Sequence, residues 1–207
     1  MVIGITGKYC SGKNRVAEIL ARRGFQVIDV DRLGHDALVE KRESVVERFG
    51  SAVLTSEGRI DRRRLGAVVF ADAGERAALE AIVHPVMVAE VERLVGRRTG
   101  SHRDGVASAG ASSRFAVNAA LLFPMGLHRL CDVVLYVSAP LPARIWRALR
   151  RDRLSLLQVA RRIWSQRQLF PQSLRETVDI EVVRNSGAPQ RLEVQLLRIL
   201  ARFEVGQ

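Results

Sequence analysis

The chain has 207 residues, 47% hydrophobic and 27% charged, with a net charge of +11 and an isoelectric point near 11.1. This is enough for one sizeable core with small inserts, and no apolar run approaches the ~20 residues needed to span a membrane. Two cysteines, Cys10 and Cys131, argue against a disulfide framework, and no cleavable signal pattern is present, so a cytoplasmic protein in a reducing compartment is expected.

In chain order, Val2-Ile3-Gly4-Ile5 predicts a buried strand over 2–6, and Val16, Ala17, Ile19 and Leu20 predict a helix over 13–23. Between them lies Gly7-Lys8-Tyr9-Cys10-Ser11-Gly12-Lys13-Asn14, a phosphate-binding loop in every position but the last. Its glycines let backbone N–H groups curl around phosphate oxygens, and the helix N-terminus adds its positive end. Lys13 would reach the β- and γ-phosphates of a nucleotide, with Gly7, Cys10, Ser11, Gly12, Asn14 and Arg15 around it. Of the chain's 33 basic residues only Lys8, Lys13 and Lys41 are lysines, so a lysine at the motif position favours function over chance. Asn14 replaces the Ser or Thr whose hydroxyl usually meets Mg2+. Its amide oxygen is also a hard neutral donor, direct or through water.

A second strand is predicted over 26–30, and Ile28-Asp29-Val30-Asp31 sets two carboxylates at its carboxyl end. Period two would turn Asp29 and Asp31 to one face if the strand ran that far. One could orient an acceptor hydroxyl and take its proton, the other bind Mg2+ through water. Asp31 is also a natural cap for the next helix.

Helical patterns follow over 32–49, 62–70 and 74–98, then a Gly-, Ser- and Ala-rich stretch over 99–113 reads as a flexible linker. Short apolar runs at 115–118, 133–137 and 181–183 predict further strands, and helices are expected over 141–152, 155–168 and 189–203. Strands alternating with helices predict an α/β protein with a parallel sheet covered by helices on both faces, binding ligands beyond the strands' carboxyl ends, and 32–98 reads as a helical insert after the second strand. The segment 139–168 concentrates Arg144, Arg147, Arg150, Arg151, Arg153, Arg161, Arg162 and Arg167 against Asp152 alone. Such a cluster suits anionic phosphates or a solvated helix face, and no nucleic-acid fold signature accompanies it.

Val27-Ile28-Asp29-Val30-Asp31, Glu47-Arg48-Phe49-Gly50, the stretch Ile60-Asp61-Arg62-Arg63-Arg64-Leu65 to His84-Pro85, Leu121-Leu122-Phe123 and Asn185-Ser186-Gly187 together resemble the dephospho-CoA kinase family, in order over nearly the whole chain. The resemblance implies ATP- and Mg2+-dependent phosphorylation of the ribose 3′-hydroxyl of dephospho-CoA, without membrane or nucleic-acid partners. It implies a three-layer, P-loop kinase-like parallel sheet with a helical insert and a helical lid: a nucleotide-binding core of 1–31, 114–140 and 173–207, the 32–98 helices as the CoA-side domain, and a lid over 141–172. It makes Asp31 the catalytic carboxylate, Arg147 and Arg151 lid arginines closing on phosphates, and Asn185 a neighbour of the adenine. Asp29 and Asn14 would hold the metal. A monomer or weak oligomer is expected. His84 before Pro85 reads as structural, kinking or starting a helix. The departures are Asn14, Asn118-Ala119-Ala120 where the family has Asp-x-Pro, and Pro124 in place of Glu. They leave room for reduced activity. The rival readings are another small-molecule P-loop kinase and a non-catalytic nucleic-acid-binding relative.

Overall fold

Val2–Thr6 (β1) is buried at every position, which marks it as the centre of a parallel sheet rather than an edge. It pairs in parallel with Phe115–Asn118 (β3) on one side and Val133–Ser138 (β4) on the other. Asp179–Arg184 (β5) extends β4, Gln26–Asp29 (β2) lies beyond β3, and the order is β2-β3-β1-β4-β5. The computed structural model describes residues 1–99, 114–152, 158–160, 163 and 178–204. Of the linker expected over 99–113, Thr99 ends a helix and the rest lies outside the described residues, as does most of the helix expected over 155–168.

Helices cover both faces of the sheet. Lys13–Arg22 (α1) buries Val16, Ala17, Ile19 and Leu20, and Pro189–Glu204 (α7) buries Leu192, Leu196, Ile199 and Leu200, all in one core with Ile3, Ile5, Val133 and Leu135. Leu141–Asp152 (α6) follows β4. Each buried Leu or Ile side chain contributes roughly 1.5–3 kcal/mol, so this core pins β1 and the loop after it. The chain divides into two compact units, Met1–Ile28 with Arg98–Gln207, and Asp29–Arg97.

The second unit is helical: Val30–Glu40 (α2), Arg42–Phe49 (α3), Arg62–Ala71 (α4) and Ala73–Thr99 (α5). Its core holds Val45, Val53, Leu65 and Val69, with Phe49, Ile60, Leu79 and Ile82 packed against them. Asp61 caps α4 by accepting from the Arg63 and Arg64 amides at 2.9 and 3.1 Å, and Asp72 caps α5 through the Gly74 and Glu75 amides. Within the Asp61–Pro85 stretch, Asp61 and Asp72 thus serve as caps and Leu65, Val69 and Val83 are buried.

Four expectations need correction. The strand predicted to Val30 ends at Asp29, because the Asp29 carboxylate accepts the Arg32 amide at 3.4 Å and starts α2. Asp29, not Asp31, is the cap; Asp31 lies in the first helical turn, so the two carboxylates do not share a strand face. The single helix over 32–49 breaks at Lys41, whose φ of −94° and ψ of 21° leave the helical region. The strand over 181–183 runs from Asp179 to Arg184, because pairing with β4 holds an edge whose charged residues hide its periodicity. Pro85 lies inside α5, within the helix expected over 74–98.

Candidate active site

The loop after β1 has the geometry that phosphate binding requires. Gly7 has φ 149° and Gly12 φ 101°, conformations that favour glycine. A Cβ on Gly7 would meet the Val137 carbonyl oxygen at 2.3 Å, and one on Gly12 would meet Asn185 Nδ2 at 2.0 Å. Cys10 has φ 58° without being glycine, a strained position in the loop itself. Gly12 is the N-cap of α1, so the helix dipole points into the loop. Lys13 Nζ donates to the Gly7 carbonyl at 3.2 Å, placing the ammonium over the loop. The Arg15 guanidinium pairs with Glu18 at 2.8 Å on the exposed side of α1.

Two arginines from α6 hold the loop from outside. Arg144 is 6% exposed and donates through Nε to the Tyr9 carbonyl at 2.8 Å. Burial pulls its guanidinium below the ordinary arginine range, with Tyr136 and Cys10 opposing. Arg147 Nη1 donates to the carbonyls of Cys10 and Ser11 at 3.4 and 3.3 Å, and Nη2 to the Asn185 carbonyl at 3.1 Å. Asn185, just past β5, donates Nδ2 to the Ser11 carbonyl at 2.8 Å. Cys10, Gly12, Trp146, Arg147 and Arg150 line a cavity of about 280 Å³, with the Arg150 guanidinium 5.3 Å from the Trp146 ring centre. Sequence reasoning assigned Arg147 to phosphates and gave Arg144 no site of its own. The i,i+3 spacing of these arginines on one helix face was the available signal.

On the other side of the loop, Asn118 at the end of β3 donates Nδ2 to Asn14 Oδ1 at 3.1 Å. Asn118 is 5% exposed. Among the described residues, Asn118 Oδ1, Ser11 Oγ and Arg144 Nη2 are buried without a hydrogen-bond partner, and all three belong to the loop or the residues that hold it. A buried unpaired polar atom costs roughly 1–3 kcal/mol, so its persistence here points to a ligand site. Among the described residues no group of three or more His, Cys, Asp and Glu side chains is placed to hold a metal ion.

The structure therefore brings together Gly7, Cys10, Ser11, Gly12, Lys13, Asn14, Arg147 and Asn185. Asp29 and Asp31 belong to the second unit. The side chain of Arg151, and Arg175, lie outside the described residues. In the second unit, α2 and α5 enclose a cleft of about 480 Å³ lined by Leu33, Asp36, Ala37, Glu40, Met87 and Glu90, among others. His84 is half-buried in α5, and burial lowers its pKa against the pull of Glu80.

A glycine loop at the carboxyl end of the central strand, a lysine folded over it and a helix N-terminus behind it define a P-loop kinase fold. The dephospho-CoA kinase family model matches residues 1–190. The dephospho-CoA kinase of Bacillus licheniformis is 35% identical over 204 residues, covering 97% of this chain and 95% of that protein. A solved Thermus thermophilus protein is 34% identical with a TM-score of 0.74, covering 98% of this chain and 97% of its own. The solved dephospho-CoA kinase of Campylobacter jejuni shares the fold at 22% identity and a TM-score of 0.68, covering 99% of this chain and 98% of its own. The chain belongs to the dephospho-CoA kinase family.

Proposed function

We propose that this protein transfers the γ-phosphoryl group of ATP to the ribose 3′-hydroxyl of dephospho-CoA, giving CoA and ADP. The observation that carries this reading is the braced loop with Lys13 over it, in a chain that matches one kinase family from residue 1 to residue 190. The loop amides and Lys13 take the phosphates, and the cavity walled by Trp146, Arg147 and Arg150 takes nucleotide. Arg147 and Asn185 keep the loop in its phosphate-ready shape, while the backbone of the Asn185-Ser186-Gly187 turn lies by the base. The second unit supplies the acceptor side: Asp31 orients the 3′-hydroxyl and receives its proton as the new P–O bond forms and ADP leaves. Phosphoryl transfer has a loose transition state that asks mainly for positioning, so little is demanded of the base.

Mg2+ is the expected companion of ATP, and its bound charge offsets that of the β- and γ-phosphates. The residues present fit it. Asn14 offers a neutral carbonyl oxygen at the position of the usual hydroxyl, and Asn118 beside it has a buried oxygen without a partner. Asp29 would hold the metal through a water, and Arg151 would serve in the lid. The basic segment does not favour a polynucleotide reading, since Arg144 and Arg147 direct their guanidinium groups to loop carbonyls. Among the described residues no helix is long and apolar enough to cross a membrane. The protein works in the cytoplasm as a monomer or weak oligomer.

A panel of labelled-ATP assays with dephospho-CoA, nucleoside monophosphates, shikimate and gluconate tests the substrate. Dephospho-CoA should be the preferred acceptor. Phosphorylation of another acceptor in its place would overturn the assignment.

A further inference from the structure

The chain has only three asparagines, Asn14, Asn118 and Asn185, and all three converge on the phosphate loop. Asn185 braces the loop from outside. Asn14 and Asn118, which are 104 residues apart in sequence, bond to each other. The pairing has a direction. Asn118 gives its amide hydrogen and Asn14 takes it on the carbonyl oxygen at 3.1 Å. With either carboxamide alone turned over, two oxygens or two NH2 groups would face each other, so the contact ties the orientation of one amide to that of the other. Asn14 is exposed on the first turn of α1, whereas Asn118 is 5% exposed and anchored in the last position of β3. The buried partner therefore dictates the orientation of the exposed one.

We propose that Asn118 is a positioning residue for Asn14. Its donated hydrogen bond keeps the Asn14 carbonyl oxygen, not the NH2 group, turned into the loop. Asn14 then presents a neutral oxygen to a divalent cation carried on the nucleotide phosphates. A carbonyl oxygen has two lone pairs, so it accepts from Asn118 and still has one for the cation or a water bound to it. An NH2 group in that place would repel the same cation. The Asn118 Oδ1 atom is the second sign of a ligand here: a buried acceptor beside Asn14 that nothing among the described residues satisfies. The two departures from the family pattern are thus one matched change, a neutral amide pair in place of a hydroxyl and a carboxylate.

This inference rests on the reading of the loop as the ATP site. The test is the affinity of the full chain for adenylyl imidodiphosphate, a non-hydrolysable ATP analogue, by calorimetry with Mg2+ and with EDTA. The quantity read is the ratio of the two affinities, the Mg2+ enhancement, in wild type, Asn14→Ala, Asn118→Leu and the double variant. Each single change should cut the enhancement on the order of tenfold, the scale of one lost cation ligand, and the double variant should lose no more than either. Additive losses would show that Asn118 acts on the cation by itself, and an unchanged enhancement in Asn118→Leu would reduce it to a structural strap; either overturns the proposal. Wild type needs no substitution for a second measurement. With 15N-asparagine labelling, the side-chain amide signals of Asn14 and Asn118 should shift with the Mg2+-bound analogue and far less with the metal-free one. Equal shifts in both forms would contradict the cation role. Failure of wild type to bind the analogue in either form would instead remove the ATP-site reading itself.

Discussion

Arg147 and Asn185 meet on the carbonyl of Ser11, the guanidinium donating at 3.3 Å and the carboxamide at 2.8 Å. The same guanidinium donates to the Asn185 backbone carbonyl at 3.1 Å. Three segments far apart in sequence, the loop, α6 and the turn after β5, are thereby closed into one triangle. Its effect is to engage loop carbonyls with a guanidinium and a carboxamide, the arrangement that suits loop amides facing phosphate.

The triangle gives a graded prediction. Asn185→Ala deletes the carboxamide bond and should weaken ATP binding about five- to tenfold, the worth of a buried hydrogen bond of roughly 1 kcal/mol. Gly12→Ala should be worse, because its Cβ would stand 2.0 Å from Asn185 Nδ2 on a backbone with φ 101°. Calorimetric titration with ATP reads both. Wild-type binding by Gly12→Ala would show that the loop does not depend on this closure.

Cys10 and Cys131 should respond differently to thiol reagents. Burial, with help from Asp132, pushes the Cys131 thiol up to about 12, and it donates to the Leu127 carbonyl at 3.3 Å. Only the thiolate reacts at a useful rate, so Cys131 stays inert near pH 8. A chromogenic disulfide reagent should label one cysteine, Cys10, and saturating ATP should slow that labelling severalfold. Labelling indifferent to ATP would place the nucleotide elsewhere. At the same position, Cys10→Val should cost about 1–2 kcal/mol in a urea melt, because a β-branched side chain fits the left-handed region still less well.

How far the sequence could be read depended on whether a feature was local. The strand–loop–helix at the N-terminus carries its own signature, and the apolar runs of β3 and β4 announce buried parallel strands without help from the rest of the fold. Asp29 shows the opposite case. A cap and a strand end differ by one hydrogen bond to the Arg32 amide, which alternation along Ile28-Asp29-Val30-Asp31 does not reveal. The Asn14–Asn118 bond joins the first turn of α1 to the end of β3, so the sequence shows two separate departures and not their pairing. Arg144 was hidden by its neighbours, since among many arginines the buried one has no distinguishing letter.

The buried His128 makes stability depend on pH. It is 5% exposed, packs against Phe123 and leaves Nδ1 without a partner among the described residues. Burial and the nearby Arg129 lower its pKa from the ordinary 6.5, against a hydrogen bond to the Leu122 backbone. The neutral form is therefore favoured in the fold, and the unfolded chain binds the proton more readily. Its contribution is present above about pH 6.5 and is lost as the pH falls through that value towards the lower folded pKa. Thermal melts from about pH 7 to pH 5 should show Tm falling more steeply in wild type than in His128→Phe. Parallel slopes would mean that His128 titrates alike in both states.

Asp31→Asn keeps the size of the side chain and removes its capacity to take a proton. Turnover should fall by at least about a hundredfold, the usual scale of general-base loss, while the ATP dissociation constant stays within about twofold. Steady-state kinetics beside direct ATP titration separates the two. Turnover near wild type would remove Asp31 from the chemistry and leave the loop assignment standing.

The central claim is that the loop from Gly7 to Asn14 delivers phosphate to one acceptor. It is tested most directly by incubating the purified protein with ATP, Mg2+ and dephospho-CoA and identifying the product by 31P NMR and mass. The account predicts CoA bearing a new ribose 3′-phosphate, formed in step with ADP, and abolished in Lys13→Met. ATP hydrolysis without CoA, or CoA formation undiminished in Lys13→Met, would contradict it.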